Sequence, residues 1–567
     1  MKWQFLNPDP KKVNHLKKEF QSSEIIARVL ANREIESLEN SLPFFEPSLD
    51  LLYDPFKMKD MDKAVDRIVQ NIKSNNPIFI YGDYDVDGTT GASLLYLALL
   101  EVGAEVNSYI PNRESEGYGL SNTGIDKAHS IGMDLILTCD CGINAIEPIK
   151  YAKSLGIDVI ITDHHIPDDK LPEAYAILNP KRADCSYPFK NLCGGGVAFK
   201  LVCAIAIKLK IPIERIYEYL DLVTLGTCAD MVPLSGENRV IVKHGLELLA
   251  NGSKPGIKAL LDSVGLSDKS LSVGQLVFGV APKINAAGRL GDANRSVELL
   301  TTNDKKRAKY LANVLLQENQ KRQQIQQDVV DAAFNKINAS IDLKNDRAIV
   351  LAGNDWHPGV IGIVASKVKE EFHRPTVIIS YDENNIGKGS ARSIAKVDLY
   401  EALSASSEFL MDFGGHAMAA GLTVSKESFA KFKKGFINFV NNNTSADDLI
   451  PTLTLDGILK LKDINRRFMD FLDKLAPYGP GNMRPNFVSK RVEVIGNPRV
   501  VGNGDHILFK IRQNQKVISA IGFNMSQHYE KLIKGLPIDL AYVVEINEWQ
   551  GRRTVQLNIR DIKMSDK

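Results

Sequence analysis

Short apolar runs alternate with helical patterns between Pro77 and about Asp230, and this alternation is the strongest constraint on the fold of the chain. It is typical of a parallel sheet with helices on both faces. The predicted strands are Ile78–Tyr81, Glu105–Ile110, Asp134–Thr138, Asp158–Thr162 and Tyr175–Leu178. Helices rich in Ala, Ile and Leu are predicted to continue from Val197 to about Val264.

A second alternating unit is predicted after a long helix. The segment Asp304–Ile337 is charged, rich in Gln and free of Gly and Pro, which predicts a connecting helix. Strands are then predicted at Ala348–Leu351 and Thr376–Ser380, with a helix over Pro358–Phe372 between them. From Thr452 the apolar period changes to two, and short strands at regular spacing predict a small all-β barrel of the OB type.

The chain has 567 residues, which is too long for one core, so several domains are expected. A polar run over 441–445 indicates a linker. The predicted division is a helical N-terminal lead-in (1–70), a first α/β domain with a parallel sheet (71–265), a motif segment with the long connecting helix (266–345), a second α/β domain (346–442) and an OB-like β-barrel (450–567).

Composition limits the compartment and the partners. The net charge is +1, so a nucleic-acid partner would need a local basic groove. The apolar runs are too short to span a bilayer and the N-terminus lacks a signal-peptide core, so we expect a cytoplasmic protein without a membrane partner. All six cysteines lie between Cys139 and Cys228 without a CxxC pair, which predicts core thiols in a reducing compartment.

Three aspartates alternate directly after the first predicted strand: Asp83, Asp85 and Asp87. Alternating carboxylates repel one another unless a cation lies between them, and hard divalent cations prefer oxygen ligands. A calcium loop of the EF-hand type would need a glutamate at its twelfth position, which is Leu94 here. An acidic surface turn remains the alternative.

Further acids and imidazoles follow later apolar runs, and all are predicted at strand ends: Asp140, Asp163, His164, His165 and Asp230. The carboxyl ends of parallel strands form the ligand crevice of such a sheet, so these side chains are expected to converge. Many carboxylates with one or two imidazoles and no thiolate suit Mn²⁺ or Mg²⁺ better than structural zinc. The set is large enough for two ions sharing a carboxylate, as in phosphoryl displacement. Each residue alone is more often a helix cap or a hydrogen-bonded rim group.

The tripeptide Asp163-His164-His165 resembles the motif that names the DHH phosphoesterase superfamily, and Asp83–Gly88, Asp140 and Asp230 resemble its other acidic motifs. The resemblance runs from about residue 60 to the C-terminus and points to the superfamily's bacterial single-strand-specific DNA exonucleases. It identifies residues 71–265 as the DHH catalytic domain and residues 346–442 as a DHH-associated domain. The further blocks that carry it are Ile284–Leu290, Trp356–Gly362, Gly387–Ser393 and Gly414–Gly421.

The resemblance implies two Mn²⁺ or Mg²⁺ ions in one active site. The implied ligands are Asp85 and Asp140, with Asp83 nearby, for one ion, and Asp87, Asp140, His164 and Asp230 for the other. His165 is implied beside the scissile phosphate, so that His165, Asp87 and Asp140 are the expected catalytic residues, and Asp163 is expected to orient the histidines. Many relatives have a histidine where this chain has Tyr81, which leaves the first ion's ligand set open.

The resemblance also implies residues that bind the substrate. These are Arg113, Arg289, Ser390 and Arg392 for a 5′-phosphate, and His416 in a Gly-rich loop near the substrate backbone. A terminal phosphate suits paired arginines and hydroxyls; surface or ion-pairing arginines are the alternative. In the barrel, the candidates are Lys510, Arg512, Lys516, Arg552 and Arg553 for the DNA backbone, and Phe509, Phe523 and Trp549 for base stacking, although strand alternation sends half of such side chains to a core.

The implied function is metal-dependent 5′→3′ hydrolysis of single-stranded DNA in repair and recombination. A DHH-family phosphodiesterase acting on short RNA or cyclic dinucleotides is the first alternative, and a non-enzymatic replication scaffold is the second. Retention of the whole acidic set argues against the scaffold. The implied partners are single-stranded DNA with a 5′-phosphate, single-strand-binding protein and a RecQ-like helicase, and a monomer is expected.

Overall fold

The computed structural model describes residues 1–252, 254–267, 269–549 and 552–565, without the side chain of Trp549. The N-terminal elements are β1 (Lys2–Phe5), α1 (Pro10–Glu19), α2 (Glu24–Ala31) and α3 (Leu38–Phe45). The first α/β domain contains α4 (Met61–Ser74), β2 (Ile78–Gly82), α5 (Val86–Glu101), β3 (Val106–Tyr109), α6 (Asn122–Ser130), β4 (Leu135–Cys139), α7 (Ile146–Ser154), β5 (Asp158–Thr162), β6 (Ala176–Leu178), α8 (Gly194–Leu209), α9 (Ile213–Tyr217), α10 (Leu220–Ala229), α11 (Gly236–Asn251) and α12 (Pro255–Ser263).

The sheet of the first domain is parallel, with strand order β3-β2-β4-β5-β6. Its central strands are continuous apolar runs because helices cover both faces of the sheet. The chain leaves β2 in one direction to form β3 and later returns to the other side of β2 as β4. The crevice beyond the carboxyl ends of β2 and β4 is therefore the switch point at which such sheets bind ligands.

The predicted strand end before Asp230 is wrong. The apolar run Leu222–Cys228 belongs to helix α10, and Asp230 follows the last residue of that helix. Residues on every side of α10 are buried, so the run lacks the polar face that marks a surface helix. All six cysteines are buried and free, as predicted.

A connector joins the two α/β domains. Its helices are α13 (Val273–Gln275), which continues through a π-helical turn at Leu276–Val280 into α14 (Ala281–Leu290), then α15 (Asn294–Thr301) and the predicted long helix, α16 (Lys305–Ser340). The second domain contains β7 (Ile349–Gly353), α17 (Pro358–Phe372), β8 (Thr376–Tyr381), β9 (Ile386–Arg392), α18 (Leu399–Ser404), β10 (Asp412–His416), β11 (Ala419–Ser425) and α19 (Phe429–Asn443).

The sheet of the second domain is mixed, with order β10-β11-β9-β8-β7, and only β7 and β8 run parallel. The predicted Gly-rich loop at His416 is wrong, because this residue ends β10 in a hairpin with β11. The predicted linker at 441–445 starts too early, since α19 extends to Asn443.

The C-terminal region forms the predicted OB-like barrel. Its elements are β12 (Thr452–Leu455), β13 (Gly457–Ile458), α20 (Arg466–Leu475), β14 (Phe487–Val501), β15 (His506–Gln513), β16 (Lys516–Gly522), α21 (Tyr529–Ile533), β17 (Ile538–Trp549) and β18 (Arg552–Met564). The strands close in the order β14-β15-β16-β18-β17, and β17 pairs back with β14. This closure confirms the barrel that the period-two pattern predicted.

The N-terminal segment packs against the barrel. Strand β1 pairs in parallel with β12, and helices α1 and α2 share one apolar core with the barrel strands. The indole of Trp3 donates to Asp561 at 2.8 Å. Among the described helices, none combines the length and apolar content needed to cross a lipid bilayer.

Buried Arg239 of α11 joins the first α/β domain to the barrel. Its guanidinium donates to the carbonyl oxygens of Leu475, Ala476 and Pro477 at 3.1, 2.8 and 3.2 Å. It also donates to the carbonyl of Phe44 at 2.7 Å and lies 3.8 Å from the centroid of the Phe44 ring. One side chain thus contacts the barrel segment, the N-terminal segment and the first domain.

Candidate active site

The carboxylates at the switch point come from two neighbouring strands. Asp83 directly follows β2 and Asp140 directly follows β4, and the Asp83 amide donates to the Cys139 carbonyl at 3.2 Å. Asp85 caps α5 by accepting the Gly88 amide at 3.0 Å. Asp83, Asp85 and Asp140 each present an oxygen within 4.8 Å of the others. The predicted convergence of these three residues is present.

Asp87 is held by the N-terminus of helix α8. Its two carboxylate oxygens accept the amides of Gly194 and Gly195 at 2.6 and 3.0 Å, where unpaired N–H groups favour negative charge. Asp87 forms a second cluster with His164 and Asp230, again within 4.8 Å. A side chain at Gly194 would collide with the Asp140 carboxylate, so glycine permits this close approach.

Asp140 and His164 connect the clusters. Nε2 of His164 lies 3.1 Å from Oδ1 of Asp140 and 3.5 Å from Oδ2 of Asp230, and Asp140, His164 and His165 form a third overlapping set. Asp140 has a φ of +63°, a left-handed conformation that is unusual for a residue with a side chain. Such conformations persist where the surrounding structure enforces them and are concentrated at functional sites.

Asp163 lies behind the histidines. One of its oxygens accepts the amides of His164 and His165 at 2.6 and 3.0 Å and contacts Nδ1 of His165 at 2.7 Å, while the other accepts the Ile143 amide at 3.0 Å. Burial alone would raise the Asp163 pKa, but the hydrogen bonds from His165 outweigh it and the pKa is lowered. Pairing with Asp163 raises the His165 pKa against the opposing effect of burial. This arrangement fits the predicted orienting role.

Several polar atoms of the site are buried and lack a hydrogen-bond partner within the described part of the chain. They are Asp83 Oδ1, Asp140 Oδ1, Asp230 Oδ2 and both ring nitrogens of His164. Buried polar groups normally have partners, so several unpaired atoms within overlapping clusters of acids and imidazoles require another explanation. Carboxylate oxygens beside an imidazole nitrogen are ligands for Mn²⁺ or Mg²⁺.

The electrostatics of the site favour binding of a positive charge. Burial, followed by repulsion from neighbouring carboxylates, raises the pKa of Asp83 and Asp140 well above the ordinary value and raises that of Asp230 to about 8. Burial lowers the His164 pKa to about 4, so the ring is neutral at pH 7, the form that binds metal. The residues present therefore fit divalent cations.

A group of basic residues lies near the acidic cluster. Burial first and Arg113 second lower the Arg289 pKa to about 10, with smaller effects of Arg322 and Arg392. Arg289 donates to the Gly359 carbonyl at 3.0 Å, and Arg392 donates to Ser390 Oγ at 3.0 Å. The guanidinium of Arg113 lies 5.1 Å from the ring centroid of Tyr84, which stands between Asp83 and Asp85 in the chain. The arginines and Ser390 predicted to bind phosphate are thus grouped beside the acids.

The remaining predicted substrate residue lies farther away. His416 is exposed at the end of β10 and pairs with Ala419, which also pairs with Arg392 across β11. His416 is therefore two strands, or about 10 Å, from Arg392.

Tyr118 contacts the site although the sequence pattern does not predict it. Its hydroxyl lies 3.2 Å from both ring nitrogens of His165 and donates to the Asp140 carbonyl at 3.4 Å. Its ring meets Tyr84 and His165 edge-on. The residue lies in a segment between predicted elements, where periodicity carries no information about contacts.

The barrel candidates divide by exposure. Phe509 is only 3% exposed and belongs to the barrel core, so its predicted stacking role is wrong, whereas Phe523 is 50% exposed. The five basic candidates are all exposed. Arg512 pairs with Glu493 at 2.7 Å and Arg553 with Glu548 at 4.0 Å. The side chain of Trp549 lies outside the described residues.

Three family models match the chain in order. The DHH family N-terminal domain matches residues 77–227, the DHHA1 domain matches residues 345–442, and the RecJ OB domain matches residues 455–561. The chain is 37% identical to the single-stranded-DNA-specific exonuclease RecJ of Bacillus subtilis (strain 168), over 100% of this chain and 71% of that protein.

Solved structures agree with these matches. A crystal structure of RecJ from Thermus thermophilus in complex with Mn²⁺ has a TM-score of 0.84 and 28% identity, covering 100% of this chain and 80% of that one. A second structure of RecJ from the same organism, in complex with Mg²⁺, has a TM-score of 0.78 and 27% identity, covering 100% and 79%.

Proposed function

Because this chain belongs to the RecJ family of single-stranded-DNA-specific exonucleases, we propose that it degrades single-stranded DNA from a 5′-phosphorylated end in the 5′→3′ direction. The supporting observation is the position of Tyr84, which lies in sequence between two clustered aspartates and packs under Arg113 of the basic group. A phosphate bound by the arginines would therefore lie close to the acidic cluster. The reaction is phosphodiester hydrolysis, and the cofactor is Mn²⁺ or Mg²⁺.

The acidic clusters are assigned to metal binding. Asp83, Asp85 and Asp140 would hold one ion, and Asp87, Asp140, His164 and Asp230 would hold the other. When bound, the ions supply activation of the attacking water and stabilisation of negative charge on the phosphate oxygens.

His165 is assigned to the scissile phosphate. Its side chain is 39% exposed, so a substrate can reach it, and Asp163 fixes the orientation of the ring through Nδ1. The raised pKa favours the protonated ring, which can donate to a phosphate oxygen as charge develops there. The Tyr118 hydroxyl contacts the same ring.

End recognition is assigned to Arg113, Arg289, Ser390 and Arg392. A terminal phosphate carries more negative charge than an internal phosphodiester and accepts several hydrogen bonds. Arginines that repel one another gain most from the most highly charged phosphate of the strand. Binding of that group beside the acidic cluster supports cleavage that starts at the 5′ end.

A cleft between the first α/β domain and the barrel supports the single-strand preference. It has a volume of about 980 Å³ and is lined by Met231, Phe278, Tyr478, Met483 and Arg484, among others. Met231 directly follows Asp230, so the cleft begins beside the acidic cluster, and Phe278 is 81% exposed. Unpaired bases can stack on exposed aromatic rings, whereas bases within a duplex cannot.

The proposal extends to repair and recombination. A RecQ-like helicase and single-strand-binding protein are its proposed partners, because an enzyme that needs single strands depends on proteins that produce and coat them. A monomer is proposed because the acidic cluster is formed within one chain. A cytoplasmic location is part of the proposal, because the proposed substrate is cellular DNA.

The decisive experiment uses Mn²⁺ and a 5′-phosphorylated single strand labelled at its 3′ end. We expect a ladder of shortening labelled strands with the wild-type protein, an intact strand with D140A, and an intact blunt duplex. A 5′-hydroxyl strand should be degraded more slowly. Short RNA and a cyclic dinucleotide are included as substrates, and cleavage of these without cleavage of DNA would contradict the proposal.

A further inference from the structure

Arg322, in the middle of α16, is a buried cation without an ion pair among the described residues. It is 8% exposed. Its Nε and Nη2 donate to Asn319 Oδ1 at 3.2 and 2.9 Å, and its Nη1 donates to Gln326 Oε1 at 2.6 Å. Both partners are neutral amides of the same helix. A buried charge without a counter-charge is costly.

The nearest acid along the helix pairs elsewhere. Glu318 lies one turn before Arg322, at a spacing that favours an ion pair. Its carboxylate pairs instead with Arg295 of α15. Glu318 is thus close enough in sequence to pair with Arg322, but in the fold it pairs with Arg295.

The charged groups that Arg322 acts on are cations. Helix α14, which carries Lys283 and Arg289, packs against α16. Burial, then Arg113, then Arg322 lower the pKa of Arg289, and burial, then Arg322 lower the pKa of Lys283. Arg289 belongs to the basic group beside the acidic cluster. Arg322 therefore adds positive charge to a region that is already positive.

Arg239 is a buried arginine with a structural role, and its guanidinium has enough acceptors around it. That guanidinium is also buried, but four carbonyl oxygens and the face of Phe44 surround it. Carbonyl oxygens and a ring face offset positive charge. Arg322 has no comparable set of acceptors among the described residues, and one N–H remains on each of its terminal nitrogens after the bonds to Asn319 and Gln326.

We propose that Arg322 is a substrate-binding residue, and that its two remaining N–H groups bind a phosphate of the single-stranded substrate next to the one held by Arg289. A guanidinium with a free donor on each terminal nitrogen matches two phosphate oxygens. The long helix is then part of the DNA-binding surface as well as a connector. This inference rests on the proposed function.

The proposal predicts that one variant, R322M, keeps or gains thermal stability but loses affinity for DNA. Without ligand, R322M should unfold at the wild-type temperature or above it, because an uncompensated buried charge is removed. R322M should also bind 5′-phosphorylated oligo(dT) about tenfold more weakly. The plot of log K against log salt should become less steep, its slope decreasing in magnitude by about 0.7. Binding is measured by fluorescence anisotropy in EDTA, where no cleavage occurs, and unfolding by calorimetry.

K321M is the matched control, because Lys321 is an exposed cation at the neighbouring position. It should change the affinity and the salt slope less than R322M does. E318Q tests whether Glu318 neutralises the charge of Arg322. Because Glu318 pairs with Arg295, this variant should leave DNA affinity unchanged.

Two results would overturn the inference for Arg322 alone. The first is that R322M is clearly less stable than wild type or fails to fold. The second is that R322M binds DNA with the same affinity and the same salt dependence as wild type. If the wild-type protein itself neither binds nor degrades the 5′-phosphorylated strand, the proposed function fails, and this inference fails with it.

Discussion

At the scale of single residues, the aspartates of the active site stabilise the protein only with a counter-charge. Asp83, Asp140 and Asp230 are crowded, buried and raised in pKa, while Asp163, a few ångströms away from the histidines, has a lowered pKa because hydrogen bonds surround it. Identical side chains thus differ in pKa because the imidazole of His165 pairs with Asp163, whereas burial and neighbouring carboxylates dominate at the other three.

The stability of the metal-free protein should fall as pH rises. The folded protein keeps protons on carboxylates such as Asp230, whose pKa is about 8, whereas aspartates of the unfolded chain release theirs near pH ~4. At these carboxylates the folded state binds more protons between these values, and they outnumber His164, whose lowered pKa acts in the opposite direction. The free energy of unfolding therefore decreases with pH in that window. Melting temperatures in EDTA from pH 5 to pH 8 test this.

Mn²⁺ replaces the protons, so its stabilising effect should be largest at the alkaline end of that window. The D230N variant is the control and should show a flatter pH dependence than wild type in EDTA. A rise in wild-type stability with pH in EDTA, relative to D230N, would contradict the assignment.

Replacing Asp163 tests its orienting role. D163N should lower kcat by about 10–100-fold, and the pH profile should shift to lower pH because the carboxylate that raises the His165 pKa is gone. The increase in melting temperature on adding Mn²⁺ should be retained. D169N, at an exposed position nearby, is the control. Loss of Mn²⁺ stabilisation in D163N would make Asp163 a ligand rather than a positioning residue.

At the scale of elements, the sequence pattern predicted the strands that are buried on both faces. The strands β2, β4 and β5 were predicted within one residue because fully buried parallel strands are uninterrupted apolar runs. The same rule failed for Leu222–Cys228, since a buried helix such as α10 has the same apolar run. Asp230 nevertheless reaches the acidic cluster, because α10 ends at the same edge of the sheet.

Much of the candidate site could also be predicted, because its acids occur as short motifs that resemble a known superfamily. Tyr118 and Arg322 could not, because the first lies in a loop and the second within a charged helix pattern. What distinguishes Arg322 is that no carboxylate of the described residues pairs with it, and that property depends on residues distant in sequence.

The N-terminus of α8 should be sensitive to a single methyl group. G194A places a side chain against the Asp140 carboxylate and should weaken Mn²⁺ binding by about tenfold or more. Gly196 lies two residues further along the same helix, and a side chain there would meet only Leu192 and Cys193. G196A is therefore the control. Mn²⁺ titrations compare the two, and equal affinities would contradict the role assigned to Gly194.

At the scale of the whole molecule, the barrel is not a loosely tethered module. Arg239 bonds the first α/β domain to the segment that precedes the barrel strands, and the N-terminal helices share the core of the barrel. The cleft that begins at Met231 is walled by these same parts. Its width therefore depends on contacts far from the acidic residues.

Removal of Arg239 should separate the unfolding of the barrel from that of the first domain. R239M leaves buried carbonyls without donors and should cost about 3 kcal/mol or more. Chemical denaturation of R239M should then show two transitions, whereas wild type should show one. R553M, at an exposed arginine, is the control and should change stability by about 0.5 kcal/mol or less. An unchanged single transition in R239M would contradict this role.

The pairing of β1 with the barrel region has a consequence for how the chain is made. Lys2 bonds to a residue 445 positions later and Trp3 to one 558 positions later. On the ribosome, the N-terminal helices therefore emerge long before the strands that cover them, while the first α/β domain can already fold. Their apolar faces therefore lack their folded partners during most of translation, and exposed apolar surface of this kind favours aggregation until the barrel strands are made.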